Sequence, residues 1–397
     1  MLLVTALLAL AAPPPAAAAA TPAADRARAE GVARYIDGLA GQVVEKARVT
    51  GLAVGIVHGD EILLERGWGV TQVGRREAVD GETVFRIASL SKAFAGTLAA
   101  LLVRDGALRW DSRIAEQLPA FKLKDLQAAQ NLTVMDILSH RVGLPFHAYD
   151  RELEADQPYP LLVARLEEAP IACSPGDCYA YQNVAFSLIG DMVFAGTGSF
   201  YSYQVERRIF HPLGMATATF GRDALEASPR WARPHVLGKR GWVAVRPKET
   251  YYRIPPAAGV NASVRDLNQW LIAQMGGRPT ILPPAILDEV QAPRVATPNE
   301  RRGSGWRGVR VRDPQYALGW RVFEYAGERL VFHAGAVQGY RGMIGFLPEH
   351  GFGIVVLWNC ESAAPSGLMA SALDRYLGLA SRDWTGLESV GRGRQRR

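Results

Sequence analysis

Strand signals in this chain collect at its two ends, and that distribution restricts the fold more than any other feature. Two apolar runs, 52–57 and 62–68, are separated by His58-Gly59-Asp60-Glu61, a spacing that predicts a hairpin. Four more runs, 316–325, 329–333, 341–347 and 352–359, come late, with Ala326-Gly327 and Glu349-His350-Gly351 as turns at two of the junctions. Residues 26–48 and 365–379 carry helical spacing, and 93–275 reads as mostly helical with Pro/Gly-punctuated loops. Adjacent hairpins favour antiparallel pairing. The pattern therefore predicts an α+β chain: one antiparallel sheet built from both chain ends and covered by the terminal helices, plus a mostly helical lobe. The α/β lobe takes about 25–90 and 300–385, and the helical lobe about 91–299. A cleft between two such lobes is a common place for a small molecule.

The run Val84-Phe85-Arg86-Ile87-Ala88 leads into Ser89-Leu90-Ser91-Lys92, and an Ala-rich helical stretch, 93–102, follows. Positions i and i+3 at a helix start share a face, so Ser89 and Lys92 can meet, a hydroxyl beside an amine able to take its proton. Serine needs such a neighbour to act as a nucleophile, and a helix N-terminus favours developing negative charge there. Tyr181-Gln182-Asn183 offers a phenol and an amide on one side of an extended segment, although Asn183 would also serve as an N-cap for 184–189. His333-Ala334-Gly335 closes a strand-like run, and its glycine admits close approach to the strand. His140, in Thr133–Pro145, reads as structural, and Asp266 and Trp270 read as packing.

Ser89-x-x-Lys92, Tyr181-x-Asn183 and His333-x-Gly335, in this order, resemble the serine β-lactamase and penicillin-recognising enzyme superfamily, nearest to class C β-lactamases, with D-alanyl-D-alanine peptidases and related esterases beside them. The resemblance extends through Phe85–Phe94, His333–Tyr340, Phe346–Pro348 and Gly353–Leu357. It implies a β-lactamase/transpeptidase-like fold and an acyl-enzyme formed on Ser89, with Lys92 or Tyr181 taking the proton. It also implies an oxyanion hole from the amides of Ser89 and Ala336, and Asn183 holding Lys92 and substrate. The expected function is class C-like opening of a β-lactam. The alternatives are an esterase or D-alanyl-D-alanine peptidase on the same machinery, and a non-hydrolytic penicillin-binding protein or sensor.

Departures from the class C pattern bear on substrate. His333 and Ala334 stand where those enzymes carry Lys and Thr, which help hold the β-lactam carboxylate; a neutral histidine attracts an anion more weakly. Arg341 either supplies the missing charge or faces solvent, and Glu361 suits a carboxylate poorly. His147 stands where class C enzymes have an amide lining the cleft, so His147 and His333 could share a pocket. They would bind zinc if a third ligand joined them, or hydrogen-bond without metal, the reading preferred here. No cofactor is otherwise implied.

The first 24 residues are free of charged side chains and almost wholly apolar up to residue 12, and read as an export signal. A hydrolase domain would then occupy 25–385 and a basic tail 386–397, in a periplasmic or secreted protein. Four arginines among the last six residues account for most of the net charge of +6, and no aromatic-interleaved basic patch points to nucleic acid. Cys173 and Cys178 flank a turn-rich tetrapeptide and could close a disulfide loop in an oxidising compartment, while Cys360 reads as a buried thiol. The expected partner is a small-molecule substrate, without stable membrane insertion, bound by a monomer.

Overall fold

The computed structural model describes residues 22–388. The expected signal lies outside the described residues except for its last three positions, as does the basic tail beyond 388. Helix α1 (Pro22–Lys46) opens the fold, followed by strands β1 (Gly51–His58) and β2 (Glu61–Gly69). The sheet is completed from the other chain end by β3 (Val295–Ala296), β4 (Val311–Tyr316), β5 (Arg321–Tyr325), β6 (Glu328–Val337), β7 (Tyr340–Leu347) and β8 (Phe352–Trp358). Its order is β2-β1-β8-β7-β6-β5-β4-β3, antiparallel throughout, with Leu52 opposite Trp358 where the two chain ends join.

Alternate residues of each central strand enter two different cores. Leu52, Val54 and Ile56 of β1, with Ile354 and Val356 of β8, pack under α1 and the closing helix, Gly367–Tyr376. Ala53 and Val57, with Val355 and Leu357, face the helical lobe, where Phe94 of helix α2 (Ser91–Arg104) stacks on Trp270 at 4.2 Å. Each fully buried Leu, Ile or Val contributes about 1.5–3 kcal/mol. A sheet covered on both faces reads as a continuous apolar run, which is why β8 shows no polar alternation. The fold is the α+β arrangement expected from the sequence.

The structure alters three local readings. The expected strand 316–325 is a hairpin: β4 stops at Tyr316, Ala317 N–H donates to Trp320 O at 2.8 Å, and β5 starts at Arg321. The turn residues are apolar because the turn is driven into α2. A Cβ on Gly319 (φ +82°) would lie 2.2 Å from the Lys92 carbonyl oxygen, and one on Gly96 would lie 1.9 Å from that of Leu318. The run that leads into Ser89 is a strand only at Phe85–Arg86, in a small ribbon with Val260–Ala262 and Thr219–Phe220. Finally, β6 does not end at the His333 motif but runs to Val337. Its pairing with β5 stops at Phe332 opposite Arg321, so residues 333–337 keep β7 on one side and an open edge on the other. Cys173 and Cys178 are disulfide-bonded, and Cys360 is buried and free.

Candidate active site

From Thr83 to Leu102 every residue is buried except Ser89. The backbone forces it outward: Ile87 lies at φ −92°, ψ 0°, and Ala88 at φ +51°, left-handed backbone that costs a non-glycine residue roughly 1–3 kcal/mol. Ser91 holds this turn, its hydroxyl donating to Ala88 O at 2.6 Å and accepting from the Val260 amide at 3.1 Å. The Ser89 amide thus stands at the leading end of the turn that runs into α2.

The structure brings Ser89, Lys92, Tyr181 and Asn183 together. Tyr181 and Ser89 line one cleft, and the Ser89 hydroxyl acts on the Tyr181 phenol. Lys92 is fully buried; its Nζ donates to Asn183 Oδ1 at 2.7 Å and to Ala257 O at 3.1 Å, and lies 4.6 Å from the Tyr181 ring centroid. Burial holds the Lys92 amine well below its ordinary pKa; Asp150 opposes this shift and Arg321 reinforces it. Burial pushes the Tyr181 phenol upward, against the pull of Arg321 and of the Ser89 hydroxyl. The Asn183 side chain faces Lys92 rather than capping the turn that follows.

Asp150, on the short helix Asp150–Glu154, completes the set. Its Oδ2 receives Asn183 Nδ2 at 2.7 Å and His147 Nδ1 at 2.6 Å. An ionised carboxylate only accepts, so Asp150 fixes the Asn183 amide with its oxygen toward Lys92. The sequence carries no signal for this role: a lone aspartate 33 residues from Asn183 matches no spacing rule.

Ser89, Tyr181, Asn183, Gly335, Ala336 and His147 line a cleft of about 800 Å³ between the lobes. A Cβ on Gly335 would lie 2.5 Å from Ile87 O and 3.1 Å from Ser89 N, so the open edge of β6 runs against the nucleophile turn. His333 does not line the cleft, contrary to its expected substrate-binding place. It is fully buried behind Tyr181, with ring centroids 6.3 Å apart. Its Nδ1 donates to Ala334 O at 2.8 Å and its Nε2 accepts from the Tyr316 hydroxyl at 3.1 Å. Burial holds its pKa well below the ordinary histidine value, with Arg321 and Lys92 adding to the effect. His147 and His333 therefore do not form a ligand pair. Among the described residues no group of three His, Cys, Asp or Glu is placed to hold a metal ion.

Arg341 lines the cleft, but its charge is matched: it bonds the Val337 and Tyr340 carbonyls and lies 3.5 Å from Glu361. The cation beside Tyr181 is Arg321, unsignalled in the sequence. Its guanidinium lies 5.5 Å from the Tyr181 ring centroid and pairs with Glu300, which also pairs with Arg307. His140 is buried 4.4 Å from the Tyr181 ring, its Nδ1 accepting from the Gln182 amide at 3.2 Å, and packs as expected.

Comparisons with known proteins bear on the family and the fold. The sequence profile of the Beta-lactamase family matches residues 36–378. The unguisins hydrolase ungD' of Aspergillus campestris is 25% identical over 353 residues, covering 85% of this chain and 64% of that protein; the chain thus spans under two thirds of that relative's length. Among solved structures, the octameric penicillin-binding protein homologue from Pyrococcus abyssi superposes with a TM-score of 0.78 at 23% identity, covering 91% of this chain and 80% of that one. A D-stereospecific amidohydrolase from Streptomyces sp. superposes with a TM-score of 0.69 at 19% identity, covering 89% and 99%. These two likenesses establish the fold.

Proposed function

The chain belongs to the Beta-lactamase family, and from that premise we propose that it is a serine hydrolase cleaving amide or ester bonds through a Ser89 acyl-enzyme. D-configured amino-acid amides and peptides are the favoured substrate class. The observation that carries the reading is the grouping of Ser89, Tyr181 and Asn183 in one cleft around the buried Lys92 amine, which lies 2.7 Å from Asn183 Oδ1 and 4.6 Å from the Tyr181 ring centroid. Burial favours the neutral form of both groups, so Tyr181 passes the Ser89 proton on and the Lys92 amine receives it. The carbonyl oxygen would be met by the amides of Ser89 and Ala336, each such donor being worth about 10²–10³ in rate. Tyr181 then returns a proton to the leaving amine or alkoxide, and water releases the acyl group.

The substrate preference rests on His333. With that side chain buried and its nitrogens engaged, the strand offers no cation where class C enzymes place one for the β-lactam carboxylate. Similarity to an unguisins hydrolase supports the hydrolase reading, and similarity to a D-stereospecific amidohydrolase supports the amide one. Class C-like β-lactam opening is the second reading, favoured by the Ser89, Lys92, Tyr181 and Asn183 set. Turnover of paired D- and L-amino-acid amides, a short-chain aryl ester and a cephalosporin decides between them. The proposal expects D-amide hydrolysis above that of the L-amide and of the cephalosporin. Preferred cephalosporin turnover would reverse the order, and a stable penicillin adduct without turnover would make the protein a sensor. The Cys173–Cys178 disulfide supports a periplasmic or secreted location, and we propose a monomer in solution.

A further inference from the structure

Arg86 lies three residues before the nucleophile, only 2% exposed. Its guanidinium stacks on Tyr252, 3.5 Å from the ring centroid, and Nη1 donates to Lys248 O at 2.8 Å. Nε and Nη2 are buried without a partner. Glu249, the carboxylate that acts on Arg86 through space, is itself paired with Arg222 at 3.2 Å. Among the described residues no carboxylate is bonded to Arg86. An ion kept from water costs several kcal/mol unless an opposite charge and hydrogen bonds offset it. Burial accordingly lowers the Arg86 pKa.

Arg86 lines a side chamber of about 370 Å³ that shares Tyr251, Ala336, Val337 and Arg341 with the catalytic cleft. The chamber shares Ala336 and Val337 with the cleft, and Ser89 is not part of its lining. Its two carboxylates are both engaged, Glu154 accepting from the Tyr251 hydroxyl at 3.0 Å and Glu361 lying beside Arg341. The exposed Lys248 stands at the rim without an ion pair among the described residues. With Arg341 and Glu361 matched to each other, the chamber sets two cations, Arg86 and Lys248, against the single carboxylate of Glu154, which is held by the Tyr251 hydroxyl.

We propose that this chamber is a subsite for a carboxylate carried by the substrate, seated between Arg86 and Lys248 while the scissile carbonyl lies at Ser89. The inference rests on the hydrolase reading above and narrows its substrate class to acyl compounds bearing an anionic group beyond the reacting carbonyl.

The test compares p-nitrophenyl valerate with the p-nitrophenyl half-ester of glutaric acid, which has the same chain length with a carboxylate in place of the terminal methyl. The native protein is expected to favour the glutarate ester in kcat/KM by at least about tenfold, the range of a charge-assisted hydrogen bond. Lys248→Glu and Arg86→Met should each lower that ratio by about tenfold, chiefly through KM. A native ratio near one, or a ratio that survives in Lys248→Glu, overturns the proposal; Lys248 is exposed, so that arm does not depend on Arg86→Met folding. If neither ester acylates Ser89, the hydrolase reading fails instead. Calorimetry of glutarate with Ser89→Ala then decides the subsite: binding that is lost on adding Lys248→Glu supports it, and no binding rejects it.

Discussion

One oxygen of Asp150 receives both His147 and Asn183, and through that amide the carboxylate reaches the buried Lys92 amine. Asp150 is therefore a positioning residue and the anion that opposes desolvation of Lys92. Replacing it with Asn keeps an acceptor but removes the charge. Without that anion the Lys92 pKa falls further, the free amine persists to lower pH, and the acid limb of kcat/KM should move down by up to about one unit. A pH–rate profile of Asp150→Asn reads this directly; a limb that stays in place would mean Asp150 only packs. Tyr181→Phe removes the phenol that faces the Ser89 cleft and should slow acylation by about 10²–10⁴, as measured by single-turnover kinetics, while leaving the Lys92–Asn183 bond in place.

The active-site elements are held by close backbone approaches. Gly96→Ala would drive a methyl into the Leu318 carbonyl and should destabilise the fold by about 1–3 kcal/mol, lowering the urea midpoint. Gly38, on α1, has open space at its Cβ position, and Gly38→Ala should stabilise the fold by about 0.4–1 kcal/mol, raising the midpoint. Much at this scale was legible. The hairpin at 58–61, the strands after 340, the terminal helices and the Ser89-Lys92 turn all follow from period and punctuation. The break at 317–320 was not, because a turn buried against α2 is as apolar as a strand. Extension of β6 past His333 was missed because the small residues Ala334, Gly335 and Ala336 carry little strand signal. Recognition of Ser89, Lys92, Tyr181 and Asn183 came from motif order. Asp150, Arg86 and Arg321 act through contacts distant in sequence, which no local pattern encodes.

For the whole molecule, His140 and His333 couple stability to pH. Both are fully buried, and desolvation holds each well below the ordinary histidine value. Above pH ~6.5 they are neutral folded or unfolded; below it the unfolded chain binds protons that the folded one refuses. Stability should fall as pH drops below about 6.5, by at most about 1.4 kcal/mol per unit for each histidine. The Tm difference between pH 7.5 and pH 5 should be smaller in His333→Gln than in the native protein, and an equal difference would remove His333 from this account. The two-lobed architecture leaves Ser89 as the one unburied residue in a long buried segment, and everything proposed for the site passes through it. The most direct measurement is a time course of intact mass for native protein and Ser89→Ala, each mixed with a D-amino-acid amide, an aryl ester, a penicillin and a cephalosporin. The account predicts a transient acyl adduct on the native chain that decays as substrate is consumed, and no adduct on Ser89→Ala. An unmodified native chain with every compound, or an equal adduct on the variant, would contradict it.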